Sequence, residues 1–131
     1  MKQLSTIILM CLLTVMQAVT EERLADCEVV FRRDASACCV ILASKGYPGS
    51  YEKGYPIEIP DELADYVYVA GAAVKEGRVV TNGGRVLGVV AVEPTLQEAV
   101  KTAYARAARI HFDNKYCRSD IGARALAAKG E

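Results

Sequence analysis

Apolar residues recur at helical spacing at the start of the chain: Leu4, Ile8, Cys11, Leu12, Val15 and Val19. Residues three and four apart share one face of a helix. Residues 4–25 therefore read as a helix that runs on into Glu21-Glu22-Arg23-Leu24. The pattern then changes period. Residues 27–32 (CEVVFR) alternate weakly, and residues 37–43 (ACCVILA) are a continuous apolar run, with Arg33-Asp34-Ala35-Ser36 between them. Two strands joined by a short polar turn are expected, the second buried on both faces.

Periodicity is lost over residues 44–54 (SKGYPGSYEKG), which hold three glycines and a proline. Tyr47-Pro48-Gly49-Ser50 matches a type II turn, with proline second and glycine third. Asp61 is placed to cap a short helical turn through Asp65. Residues 66–74 (YVYVAGAAV) read as one strand and Lys75-Glu76-Gly77 as a turn. Residues 78–81 and 85–92 read as further strands, with Asn82-Gly83-Gly84 joining them. Gly88 inside the last of these marks a bulge or a close neighbour.

The clearest helix opens at Pro94-Thr95-Leu96-Gln97-Glu98, where Thr95 and Glu98 form a capping box. Leu96, Ala99, Val100, Ala103, Ala107 and Ile110 make its apolar stripe, with Lys101, Arg106 and Arg109 elsewhere on its surface. The sum is an α+β fold: one mostly antiparallel β-sheet, a long packed helix and an N-terminal helix.

Length and composition narrow the function. A chain of 131 residues, 52% hydrophobic and 24% charged, supports one domain with a core. Sixteen basic and sixteen acidic side chains cancel, so nothing global attracts nucleic acid or an anionic membrane. The five cysteines lack Cys-x-x-Cys spacing and there is one histidine, which argues against a structural zinc site. Cys38 and Cys39 point to opposite faces of a strand and do not pair. Free cysteines of this kind fit a reducing cytoplasm. Residues 1–19 also have the outline of a secretory signal, but with Lys2 as the single positive charge and an apolar stretch too short to span a bilayer.

Local anion chemistry is left as the question. Asn82-Gly83 alone is a hairpin signal, yet Gly84 and Arg85 exceed what a hairpin needs. A second glycine lets backbone N–H groups approach a ligand, and arginine offers a planar fork for phosphate or carboxylate. A ligand site and a structural hairpin with a surface arginine both stand. The loop at 44–54 adds Lys45, Lys53, Tyr47 and Tyr51 but lacks the Gly-Lys-Ser/Thr of a P-loop. Arg118 and Asp120 read first as a surface ion pair, and His111 as a helix C-terminal residue satisfying carbonyls. No catalytic constellation and no acidic metal cluster is apparent, so no catalytic or metal-ligating residue is expected.

Three of these segments, in order, carry a resemblance. The stretches ASKGYPGSYEKG and EGRVVTNGGRVLGVVAV, followed by a helix leading to IHF and RSDIGARAL, resemble the C-terminal domain of the phosphoribosylamine–glycine ligase family, within the ATP-grasp superfamily. The likeness runs from about residue 12 to residue 126 and implies a domain of rudimentary hybrid-motif type over residues 26–126, after an N-terminal helix (1–25) and before a tail (127–131). It implies ATP-dependent formation of glycinamide ribonucleotide from glycine and 5-phosphoribosylamine in purine biosynthesis, in the cytoplasm. ATP and Mg²⁺ or Mn²⁺ are implied for the full-length enzyme only, held by ATP-grasp domains supplied in cis or in trans. By the same likeness, Gly83, Gly84 and Arg85 are expected to contact substrate, with Asn82, Lys53 and Tyr47 beside them. Where the family often has His-Ala-Gly-Thr, this chain has Val69-Ala70-Gly71-Ala72. Residues 1–11 depart from the family and are expected to be a truncation or frameshift scar on a fragment inactive alone. A standalone module binding a phosphorylated sugar or nucleotide, an interaction subunit using the N-terminal apolar face, and a small secreted protein are the alternatives.

Overall fold

The computed structural model describes residues 12–29 and 32–128. They fall into two compact units, one up to Arg33 and one from Asp34 onward. In the first, residues 12–20 are helical (α1). The helix stops earlier than its sequence pattern implies. Glu22 adopts a positive φ of 55°, and the N–H of Arg23 reaches back to the Ala18 carbonyl at 2.9 Å, the ending of a Schellman motif. A 3-10 turn follows at Leu24–Asp26. The helical positions expected at 4–11 lie outside the described residues. Of the strand expected at 27–32, residues 27–29 and 32 are irregular and the rest lie outside.

The second unit is α+β, as expected. Its main sheet has four antiparallel strands: β1 (Ser36–Ser44), β2 (Val67–Val69), β5 (Arg85–Glu93) and β6 (Lys115–Tyr116), in the order β2-β5-β1-β6. A two-stranded sheet pairs β3 (Ala72–Lys75) with β4 (Arg78–Thr81). Helix α2 (Leu96–Ala108) packs on β1 and β5, and a short α3 (Ala123–Ala128) closes the described chain. The expected single strand at 66–74 is thus two strands in two different sheets, and the chain changes sheet at Ala70-Gly71.

β1 is not buried on both faces along its length. Cys38, Val40 and Leu42 point into the core, while Ala37, Cys39 and Ile41 are exposed. The inward three oppose Ala91, Val89 and Leu87 of β5. Against this face α2 lays Ala99, Ala103 and Ala107, whose small side chains let the helix sit close, and Ile110 and Phe112 fill its far end. The capping box is present: Glu98 N–H donates to Thr95 Oγ1 at 3.2 Å and Thr95 N–H to Glu98 Oε2 at 3.2 Å. The helix C-terminus is satisfied by Lys115, not by His111. Lys115 Nζ donates to the carbonyls of Ala107 (3.1 Å) and Ile110 (2.5 Å), while His111 pairs its backbone with Glu58.

Among the described residues no helix is long and apolar enough to cross a membrane, and four free cysteines are present, Cys38 buried and Cys39 exposed. The two faces of β1 predict unequal mutational costs. Leu42→Ala should lower the unfolding free energy by about 2–5 kcal/mol. Cys39→Ala should change it by less than about 0.5 kcal/mol. Urea denaturation of both variants checks the contrast.

Candidate functional site

The ladder between β1 and β5 slips once. Leu42 pairs with Leu87, but Ala43 pairs with Arg85, so Val86 is an extra residue in β5. Were Val86 paired in regular alternation, Arg85 would share the core face with Leu87 and Val89. The bulge turns it to the open face beside Ala43, a use to which bulges near functional sites are often put. The Val86 side chain is fully buried, and its carbonyl accepts from both Ala70 N–H (3.0 Å) and Gly71 N–H (3.1 Å). The bulge therefore lies at Val86 and not at Gly88. Gly88 has instead a close neighbour, since a Cβ there would meet Cys39 Sγ at 3.2 Å.

Asn82-Gly83-Gly84 is not a hairpin. It carries the chain from β4 in one sheet to β5 in the other. None of the three has a positive φ, so neither a type I′ turn nor an anion nest of alternating handedness is built there. The glycines serve close approach. A Cβ on Gly83 would lie 2.9 Å from the Gly71 Cα, and one on Gly84 would lie 2.0 Å from Tyr47 Cδ2. Their carbonyls are used by the buried Ser44, whose Oγ donates to Gly83 O (3.0 Å) and whose N–H donates to Gly84 O (2.8 Å). Asn82 is exposed, with its N–H donated to Gly71 O at 2.8 Å.

Tyr47 reaches Gly84 through a turn different from the expected one. Tyr47 N–H donates to Ser44 O at 3.1 Å, and Gly46 has φ 101°, so the turn with glycine third is Ser44–Tyr47. The Tyr47–Pro48 peptide is cis and Gly49 has no positive φ, which removes the type II turn expected at 47–50.

These elements border one cleft of about 400 Å³. Ile41 and Ala43 of β1 form its floor, Tyr47-Pro48 and Arg85 one wall, and Tyr116, Cys117, Arg118 and Ile121 the other. Ile41, Tyr47 and Tyr116 are 39%, 41% and 51% exposed, so an apolar surface faces solvent here. The second wall is anchored on α2: Tyr104 Oη donates to the Arg118 carbonyl at 2.6 Å and accepts from Ile121 N–H at 3.1 Å. Arg118 meets Asp120 through two hydrogen bonds, of 2.8 and 2.6 Å. That pairing holds the Asp120 carboxyl below its ordinary range and pushes Arg118 up. The pair therefore stays intact through the ordinary carboxylate range, and its contribution is lost as pH falls on through the lowered value. Arg85 has no acidic partner among the described residues, so it is the cleft's uncompensated cation.

Of the residues singled out in the sequence, Tyr47 and Arg85 line the cleft, and Gly83 and Gly84 shape its wall from behind. Asn82 does not line it. Lys53 stands outside, its Nζ 5.8 Å from the Tyr51 ring centre, and Tyr51 in turn meets Tyr47 edge-on at 6.2 Å. Arg118, read first as a surface pair, and Tyr116 were not among the expected contacts. Among the described residues no group of three or more His, Cys, Asp or Glu side chains converges in metal-ligating fashion.

Residues 37–124 match the family described as phosphoribosylglycinamide synthetase, C domain. The chain belongs to that family. It is 42% identical over 112 residues to a phosphoribosylamine–glycine ligase of Caldanaerobacter subterraneus subsp. tengcongensis, covering 85% of this chain and 27% of the relative. It is 44% identical over 116 residues to the trifunctional purine biosynthetic protein adenosine-3 of Gallus gallus, covering 86% of this chain and 12% of that one. A crystal structure of phosphoribosylamine–glycine ligase from Thermotoga maritima superposes with a TM-score of 0.61 at 45% identity, over 65% of this chain and 21% of that one. The chain thus spans about a quarter of the bacterial ligase's length. The matched residues 37–124 include the loop at 44–54 and Gly83-Gly84-Arg85, and the cleft borders both segments.

Gly84→Ala should force the Tyr47 ring off the β5 edge and cost about 1–3 kcal/mol by overpacking. A melting curve measures the cost, and the near-ultraviolet circular dichroism of the tyrosines reports the displaced ring.

Proposed function

We propose that this domain supplies one wall of the substrate site of a phosphoribosylamine–glycine ligase and holds the phosphate of 5-phosphoribosylamine on Arg85. The observation that carries the reading is the bulge at Val86, which aims an unpaired guanidinium into a cleft. A phosphate monoester suits that guanidinium, because the planar fork gives two charge-assisted hydrogen bonds. Tyr47, pressed on Gly84, fixes the wall beside it. Gly83 and Gly84 act by permitting that approach, while Asn82 and Lys53 lie further out and contribute weakly to affinity.

The described residues offer no set of ligands for a nucleotide–metal site, since no acidic cluster converges among them. ATP with Mg²⁺ or Mn²⁺, and glycine, are assigned to the ATP-grasp portion of the longer relatives, acting in cis or in trans in the cytoplasm. ATP held there would supply the activation of glycine's carboxylate that attack by the amine of 5-phosphoribosylamine needs. The part played by this chain is to bind and orient the amine's phosphorylated sugar and to shield it from water on one side. A second reading, as a separately encoded subunit, is favoured by helix α1, which exposes Leu12, Leu13, Met16 and Val19.

The purified chain should bind ribose 5-phosphate, a stable stand-in for the substrate, in titration calorimetry. Arg85→Ala should weaken that binding about tenfold or more, as loss of a charge-assisted pair implies. Asp120→Asn should strengthen it, because it releases the second guanidinium. No binding by the parent chain, or an unchanged affinity in Arg85→Ala, overturns the reading. The chain alone should show no glycine- and phosphoribosylamine-dependent ATP hydrolysis, and a coupled ADP assay checks this.

A further inference from the structure

The cleft is more apolar than a sugar phosphate needs. 5-Phosphoribosylamine is polar over its whole surface, and burying it against Ile41, Pro48 and Ile121 gains little. Yet those side chains and the rings of Tyr47 and Tyr116 surround the approach to Arg85. Apolar walls with a few convergent polar groups are the usual build of a small-molecule site, and about 400 Å³ lies within the common size range.

The geometry points to a second ligand class for the same cleft: a purine nucleoside 5′-monophosphate, with its phosphate on Arg85 and its base on the tyrosine-lined wall. This rests on Arg85 being the phosphate contact proposed above. Three features choose the ligand. Tyr47 and Tyr116 both line the cleft, and nucleobases stack on aromatic rings with little demand for hydrogen bonding. A purine, with its two fused rings, covers more of the apolar wall than a pyrimidine does. The charge favours a monophosphate, because Asp120 already meets Arg118 and only Arg85 is left uncompensated. A triphosphate would bring further negative charge, and among the described residues neither a second unpaired cation of the cleft nor a metal-ligating cluster is there to meet it.

Tyr47 is held in place for this role. Its ring lies against Gly84 at the β5 edge, which limits its movement. Tyr116 sits on the short edge strand β6 and is half exposed, so its removal leaves the core untouched.

The test compares adenosine 5′-monophosphate with ribose 5-phosphate on the full chain by titration calorimetry. The nucleotide should bind about tenfold tighter, the increment that one stacked base supplies. Tyr116→Ala should remove most of that advantage while leaving ribose 5-phosphate within about twofold, and Tyr116→Phe should restore it. Arg85→Ala should weaken both ligands. Equal affinity for the two, or Tyr116→Ala weakening both alike, overturns the inference while the substrate reading stands. Nucleotide binding that persists in Arg85→Ala overturns both. A melting curve of each tyrosine variant confirms that it is folded.

Discussion

The pairing of β1 with β5 is the constraint on which the domain depends. It runs from Ser36 opposite Glu93 to Ala43 opposite Arg85. Its inward side chains receive α2, its edges receive β2 and β6, and its one irregularity decides where Arg85 points. Strict alternation would place that guanidinium on the core face with Leu87 and Val89. An unpaired charge in such a place is among the most costly arrangements a fold can hold. The bulge instead leaves Val86 buried and Arg85 exposed on the open face. One local departure from regularity thus keeps a charge out of the core and leaves it at the cleft.

Around that departure the glycines do steric work. Gly71, Gly83 and Gly84 come together where one sheet hands the chain to the other, and each lacks a side chain because another atom occupies the space. Gly84 faces the Tyr47 ring, and Gly71 faces the Arg85 carbonyl and Gly83. The cleft wall is thus made from backbone packed on backbone and on one aromatic ring. Such a wall has few internal degrees of freedom, which suits a site that must meet a small charged group without rearranging.

Much of this was legible in the residues. The apolar stripe and capping box of α2 name the helix and its start, because both rest on local spacing. The class, α+β with an antiparallel sheet, follows from strand-length apolar runs divided by turn residues. Family resemblance singled out Arg85 and Tyr47, and both line the one cleft. What stayed hidden depends on contacts distant in sequence. Asn82-Gly83 has the signature of a hairpin, yet its flanking strands belong to different sheets. The 66–74 run has no break in apolar character where it changes partners. The apolar run of β1 conceals an alternation, since cysteine, alanine and isoleucine serve equally on a covered and an open face. Arg118 reads as a surface pair because nothing near it in sequence shows that Tyr104, fourteen residues away, holds its backbone at the cleft.

The segment around residues 54–58 has a consequence of its own. Gly54 and Ile57 donate to Thr81 and Val79, Tyr55 accepts from Thr81, and Glu58 exchanges two backbone bonds with His111. One irregular strap is thereby stitched to the small sheet along one side and to the end of α2 at its tip. The two parts share no hairpin, but they share this strap, so an opening of either exposes the amides of both. Hairpin, strap and helix end then form a single cooperative unit in the native-state fluctuations of the domain.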